Sequence, residues 1–132
     1  MNLDDLDIGT TLDPIKLNFS IEKISKYLIA TSDNSSMWIR EAIVPPPLVS
    51  AGILAELMEQ VNLPLNLMHT GQEHTAYRLV PAGSDLLATV TLTQYSQRRG
   101  AIIATFEAKL VDAREVLLVT TKTNTLISLE PS

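Results

Sequence analysis

The stretch from Pro47 to Val61 constrains the fold more than any other part of the chain, because only Ser50, Glu56, Glu59 and Gln60 within it are polar. Its first part, LVSAGILA, is apolar or small on every side. Val44-Pro45-Pro46-Pro47 leads into it extended, since each proline restricts the residue before it. Proline is also favoured in a first helical turn, so the pattern predicts a helix over about Pro47 to Val61. A helix that is apolar all round must be wrapped by other structure.

The wrapping is predicted downstream. Strand-like segments run over roughly 72–80, 85–97, 101–111 and 116–128, separated by Pro81-Ala82-Gly83-Ser84, Arg98-Arg99-Gly100 and Asp112-Ala113-Arg114, each a plausible tight turn. Leu86, Ala88, Val90 and Leu92 alternate with Leu87, Thr89, Thr91 and Thr93, and Ile102, Ala104, Phe106, Ala108 and Leu110 oppose Ile103, Thr105, Glu107 and Lys109. One face is apolar and the other mixed, as in an antiparallel sheet covered on one side. Upstream, Pro14 to Phe19 alternates as a short strand. Ser20 is placed to cap a helix starting at Ile21, with Ile24, Tyr27 and Leu28 at helical spacing. The expected class is α+β. A curled antiparallel β-sheet wrapped around a long central α-helix is the hot-dog fold, and a generic α+β sandwich is the alternative. Residues 1–13, with Asp4, Asp5, Asp7 and Asp13 and no basic residue, read as a flexible acidic leader to one domain over 14–132.

Composition narrows the function. The chain of 132 residues is 45% hydrophobic and 19% charged, enough for one packed core. Its 10 Lys+Arg against 15 Asp+Glu give a net charge of -5, and no basic cluster exceeds Arg98-Arg99, so nucleic acid is not an expected partner. The absence of cysteine removes thiolate metal sites and cysteine nucleophiles and suits a reducing cytoplasm. No apolar run reaches the roughly 18 residues of a membrane span, so no membrane association is expected. His69 and His74 lack metal-ligand spacing, and neither a nucleophile elbow nor a glycine-rich phosphate loop is present, so no metal and no cofactor are expected.

What remains is acid/base chemistry from Asp33 in the loop after the first helix, from Glu56 and Glu59, or from His69, Gln72 and His74. Each has a plainer reading. Asp33 suits a turn, Glu56 and Glu59 an exposed helix end, His69 an element boundary or subunit interface, and Gln72 a strand end. Trp38 suits either a core or an apolar slot.

The run from Leu67 to Leu86, LMHTGQEHTAYRLVPAGSDL, resembles the L-H-x-x-Q-x-x-x-x-x-R-P-x-x-x-G-D-x-L pattern of MaoC-like hydratases and dehydratases, especially their N-terminal hot-dog half. His69 and Gln72 keep its spacing and Arg78 is present, whereas Leu79 replaces the proline and Ser84 separates Gly83 from Asp85. Tyr27 to Asp33 is similar to the family's Y-x-x-A-T-G-D, and Val44-Pro45-Pro46-Pro47-Leu48 to its A-P-P-T-F. The order of the three pieces, across about residues 15–128, carries the resemblance.

The resemblance implies addition or removal of water across the 2,3 bond of an acyl thioester, by an Asp and a His in a G-D-x-N-P-x-H motif. Here Asp33 is kept, Trp38 falls at the histidine, and Ser35-Ser36 replace Asn-Pro. That is the pattern of the accessory, non-catalytic half of an enoyl-CoA hydratase or 3-hydroxyacyl dehydratase. Asp33, with His69 acting from another element, is the catalytic pair that could survive. The partners implied are an acyl-CoA or acyl carrier protein thioester and a second hot-dog chain, as a homodimer or as a heterodimer with a catalytic subunit. A ligand slot is expected beside the central helix at Trp38, Val49, Ile53, His69 and Gln72, where Ser50, Ala51 and Gly52 permit close approach. Arg98 and Arg99 are placed to meet the phosphates of coenzyme A. The alternatives are a hot-dog thioesterase, with Glu56 or Glu59 activating water, and an acyl-chain binding module without turnover.

Overall fold

A computed structural model describes residues 3–63 and 66–128. The expected ends of the leader and the domain, at 1–2 and 129–132, lie outside the described residues. The elements run β1 (Ile15–Leu17), α1 (Ile21–Ala30), α2 (Met37–Arg40), α3 (Pro46–Gln60), β2 (Leu67–Ala76), β3 (Leu86–Arg98), β4 (Ala101–Val111) and β5 (Leu117–Ser128), after a single 3-10 turn at Leu3–Asp5. The strands form one five-stranded antiparallel sheet in the order β1-β3-β4-β5-β2. Strands β3, β4 and β5 are a meander, while β2 crosses over to pair with β5 and forms one edge.

Local chemistry sets most of the boundaries. Ser20 caps α1 by accepting the Lys23 N–H at 3.1 Å, and Ile24 and Leu28 bury its inner stripe. The β3–β4 hairpin closes through Arg99 and Gly100, both at positive φ (46° and 78°), the primed turn that matches strand twist. After β4, Asp112 Oδ1 accepts the N–H groups of Arg114 and Val116 at 2.8 and 3.0 Å. The alternation expected for β3 and β4 is present: Leu86, Ala88, Val90, Leu92, Ala104, Phe106, Ala108 and Leu110 are all buried. Val49, Ile53 and Leu57 of α3 complete the core with them, each worth about 1.5–3 kcal/mol of apolar burial.

Three expectations change. Residues 3–12 are not a loose leader: Leu3, Leu6 and Leu12 are buried, and Gly9, Thr10 and Leu12 exchange backbone hydrogen bonds with Val90 and Leu92 of β3. Leucines at that spacing supply enough apolar area to hold an otherwise acidic segment against the sheet. Strand β2 begins at Leu67 rather than near residue 72. Finally, α3 is not wrapped all round, because only its Val49, Ile53 and Leu57 stripe is buried. Pro47, Ala51, Ala55 and Met58 face outward, Met58 with 55% of its surface exposed. No helix among the described residues is long and apolar enough to cross a membrane.

Candidate functional site

The open side of α3 and the inward face of β2 bound a groove of about 460 Å³ lined by Pro46, Pro47, Ser50, Ala51, Leu54, His69, Gln72 and His74. Side chains alternate across a strand, so His69 ought to lie opposite Gln72 and His74. A register shift between His69 and Gly71 inserts one extra residue into β2 and brings all three side chains to the groove. A glycine at position 71 suits this irregularity, since a Cβ there would lie 3.1 Å from the Asn124 amide.

Ser50 Oγ and His74 Nδ1 are hydrogen-bonded at 2.8 Å, tying helix to strand. The other ring nitrogen, His74 Nε2, is buried without a hydrogen-bond partner. Burial lowers the His74 pKa from its ordinary value, which favours a neutral ring. Thr123 Oγ1 donates to Gln72 Oε1 at 3.3 Å, fixing the amide so that its N–H donors remain for the groove. The groove therefore has apolar walls with a few placed polar groups, the usual makeup of a small-molecule site. No group of three or more metal-ligating side chains occurs among the described residues.

Beyond Pro46 and His74 lies a smaller apolar cavity of about 90 Å³, lined in part by Trp38, Val44, Val49, Arg78, Val80 and Val119. At the other end, Leu54 and His69 separate the groove from a depression that includes Leu57, Met58 and Phe106. The three spaces follow the seam between α3 and β2, with a histidine at each junction.

Of the residues expected to form a site, His69 and Gln72 reach the groove, and Trp38 and Val49 reach the inner cavity. Ile53 is a core residue and lines neither, because it belongs to the buried stripe of α3. Asp33 is exposed in the α1–α2 connection, where its Oδ1 accepts the Ser35 N–H at 2.8 Å, and it does not line the groove. Glu56 and Glu59 are exposed on α3 outside the groove. Arg98 and Arg99 are exposed at the hairpin tip and are not brought to the groove either. Gly52 serves the chain's own packing rather than a ligand: a Cβ there would come within 2.8 Å of the Phe19 ring.

Sequence reasoning missed the Ser50–His74 pair. The signal was a single hydroxyl in an otherwise apolar helix, readable only once the register of β2 is known.

The first turn of α3 is chemically unusual. A helix N-terminus ordinarily offers free N–H groups to a developing negative charge. Here Pro45, Pro46 and Pro47 have none, and the N–H groups of Leu48 and Val49 both donate to Pro45 O at 3.0 and 3.3 Å.

No protein-family model matches the sequence, and no curated protein matches it either. Solved structures do resemble its fold. An (R)-hydratase from A. caviae involved in PHA biosynthesis superposes with a TM-score of 0.75 at 17% identity, over 93% of this chain and 97% of that one. The HadBC (3R-hydroxyacyl-ACP dehydratase) complex from Mycobacterium tuberculosis gives 0.70 at 14% identity, over 90% and 96%. A MaoC-like dehydratase from Rhodospirillum rubrum gives 0.66 at 16% identity, over 98% of both chains. With one antiparallel sheet packed on α3 and this likeness across nearly its whole length, the chain has the hot-dog fold of the MaoC-like dehydratases and (R)-hydratases.

Proposed function

We propose that the protein binds acyl thioesters in the groove between α3 and β2 and is the accessory half of an enoyl-thioester hydratase or dehydratase, working in the cytoplasm. The reading rests first on fold likeness to hydratases and dehydratases, and on a groove with apolar walls and few polar groups. The accessory role rests on one observation above all: the helix turn beside the groove has no free N–H to meet charge developing on a thioester oxygen. Asp33 and Trp38 agree with it. The Asp33 carboxylate accepts from its own turn, and an indole N–H can donate but cannot take up a proton near neutral pH.

The partner in this reading is a second hot-dog chain. The outward side of α3 is apolar, and the adjacent strand β2 pairs only with β5 among the described residues. A long free strand edge beside exposed apolar surface is normally covered by association. The HadBC structure is itself a complex of related fold.

The test is hydration of crotonyl-CoA by the purified protein, alongside calorimetric binding of the same compound. Binding without turnover is the expected result. Turnover abolished by His69→Ala or His74→Ala would replace the accessory reading with an active hydratase. Release of free coenzyme A would make the protein a thioesterase.

A further inference from the structure

Resting on the acyl-binding reading above, we infer that His74 is a latched stop that sets the length of acyl chain the groove accepts, and that Ser50 is the latch. The groove and the inner cavity share Pro46 and His74 as common walls. Proline is a fixed wall; a histidine ring can rotate about its side-chain bonds. One hydrogen bond to a protein group, from Ser50 at 2.8 Å, holds that ring, and its buried Nε2 has no partner to resist a swing. With the latch closed, the groove of about 460 Å³ ends at the imidazole. With it open, the groove gains a pocket of about 90 Å³ walled by Trp38, Val44, Val49, Val80 and Val119.

The inner pocket has room for roughly three more carbons, taking a methylene as comparable to the ~30 Å³ share of a water molecule. Its walls are mostly apolar, so it suits the end of an alkyl chain. Each further buried methylene tightens binding about fourfold. A neutral ring fits this role, because burial disfavours the charged imidazolium.

The experiment is calorimetric binding of saturated acyl-CoA compounds of increasing chain length to the wild type, His74→Ala, Ser50→Ala and His69→Ala. In the wild type, affinity should rise with length and then level off. In His74→Ala the plateau should move about three carbons longer, with binding about fourfold tighter for each carbon beyond the wild-type limit. Ser50→Ala, a mild change on a helix surface, should give a smaller shift in the same direction, so the inference does not depend on the His74 variant folding well. An unchanged plateau in both overturns the inference while leaving acyl binding intact. So does a longer plateau in His69→Ala alone, which would place the stop at the other histidine. If no chain length binds to any variant, the acyl-binding reading falls, and this inference with it.

Discussion

The two halves of the sheet cover the same helix with opposite chemistry. On β3 and β4 the inward face is Leu86, Ala88, Val90, Leu92, Ala104, Phe106, Ala108 and Leu110, all buried. On β5 and β2 it carries Thr121, Thr123 and Thr125 between Val119 and Ile127, then His69, Gln72 and His74. The first half is sealed, with Leu3, Leu6 and Leu12 from the N-terminal segment joining the same core. The second opens along the outward side of α3. Where a face is sealed, apolar burial alone specifies it; where it stays open, polar groups survive because water or a ligand can satisfy them. Two of the threonines mark the transition, buried but bonded: Thr125 Oγ1 donates to Ala104 O at 2.8 Å and Thr123 Oγ1 to Gln72.

Three measurements can break or sharpen this contrast. The largest effect is expected in the sealed half, where Phe106→Ala should lower unfolding free energy in urea by about 3–5 kcal/mol. A loss below about 1 kcal/mol would mean that this half is not the main source of stability. At the transition, Thr125→Val keeps the shape and removes the hydroxyl, for an expected loss of about 1 kcal/mol. A gain in stability would show that the polar threonines serve something other than folding.

The smallest effect concerns His74, whose folded pKa burial holds below its ordinary value. The unfolded chain takes up this proton near pH 6.5, and the folded chain resists it until lower pH. The contribution to stability is therefore complete above about pH 6.5 and is lost as pH falls through the lower folded value. Ser50 is neutral, while Arg78 and His69, the other titratable groups lining the spaces on either side of the ring, are basic and bring no compensating negative charge. Melting curves of wild type and His74→Phe across this range should diverge as the solution becomes acidic, the variant losing less. Parallel curves would show that the ring titrates as if in water.

The same contrast explains what could be read from the sequence. Strands β3 and β4 were legible because apolar and polar residues alternate along them, and α1 because Ser20 and its periodic apolar residues mark its start. Strand β2 was only half legible. Its inward residues are polar where the groove needs them, and its bulge breaks the alternation at the point where His69 changes face. The exposure of α3 was hidden because Ala51, Ala55 and Met58 look identical in sequence whether a helix is enclosed by its own chain or left open. The site residues divided for a related reason. The resemblance to the L-H-x-x-Q pattern placed His69 and Gln72 together, whereas the meeting of Ser50 with His74 is set by how α3 packs on the sheet, which no local pattern encodes.

The crossover of β2 to β5 also orders events during synthesis. Leu67 pairs with Ile127 and Ala76 with Val119, so the strand that carries both histidines is made early yet has no ladder partner until β5 has left the ribosome. The β3–β4–β5 meander can assemble from neighbours in the chain, but the groove has to wait for its far wall, and closing so long a loop is slow. Until then the nascent chain displays an unpaired strand beside an apolar helix, the type of surface that chaperones bind and that aggregates if left bare. Ribosome-bound chains halted before Leu117 would therefore already contain every residue lining the groove but have no groove, which would be among the last parts of the molecule to exist.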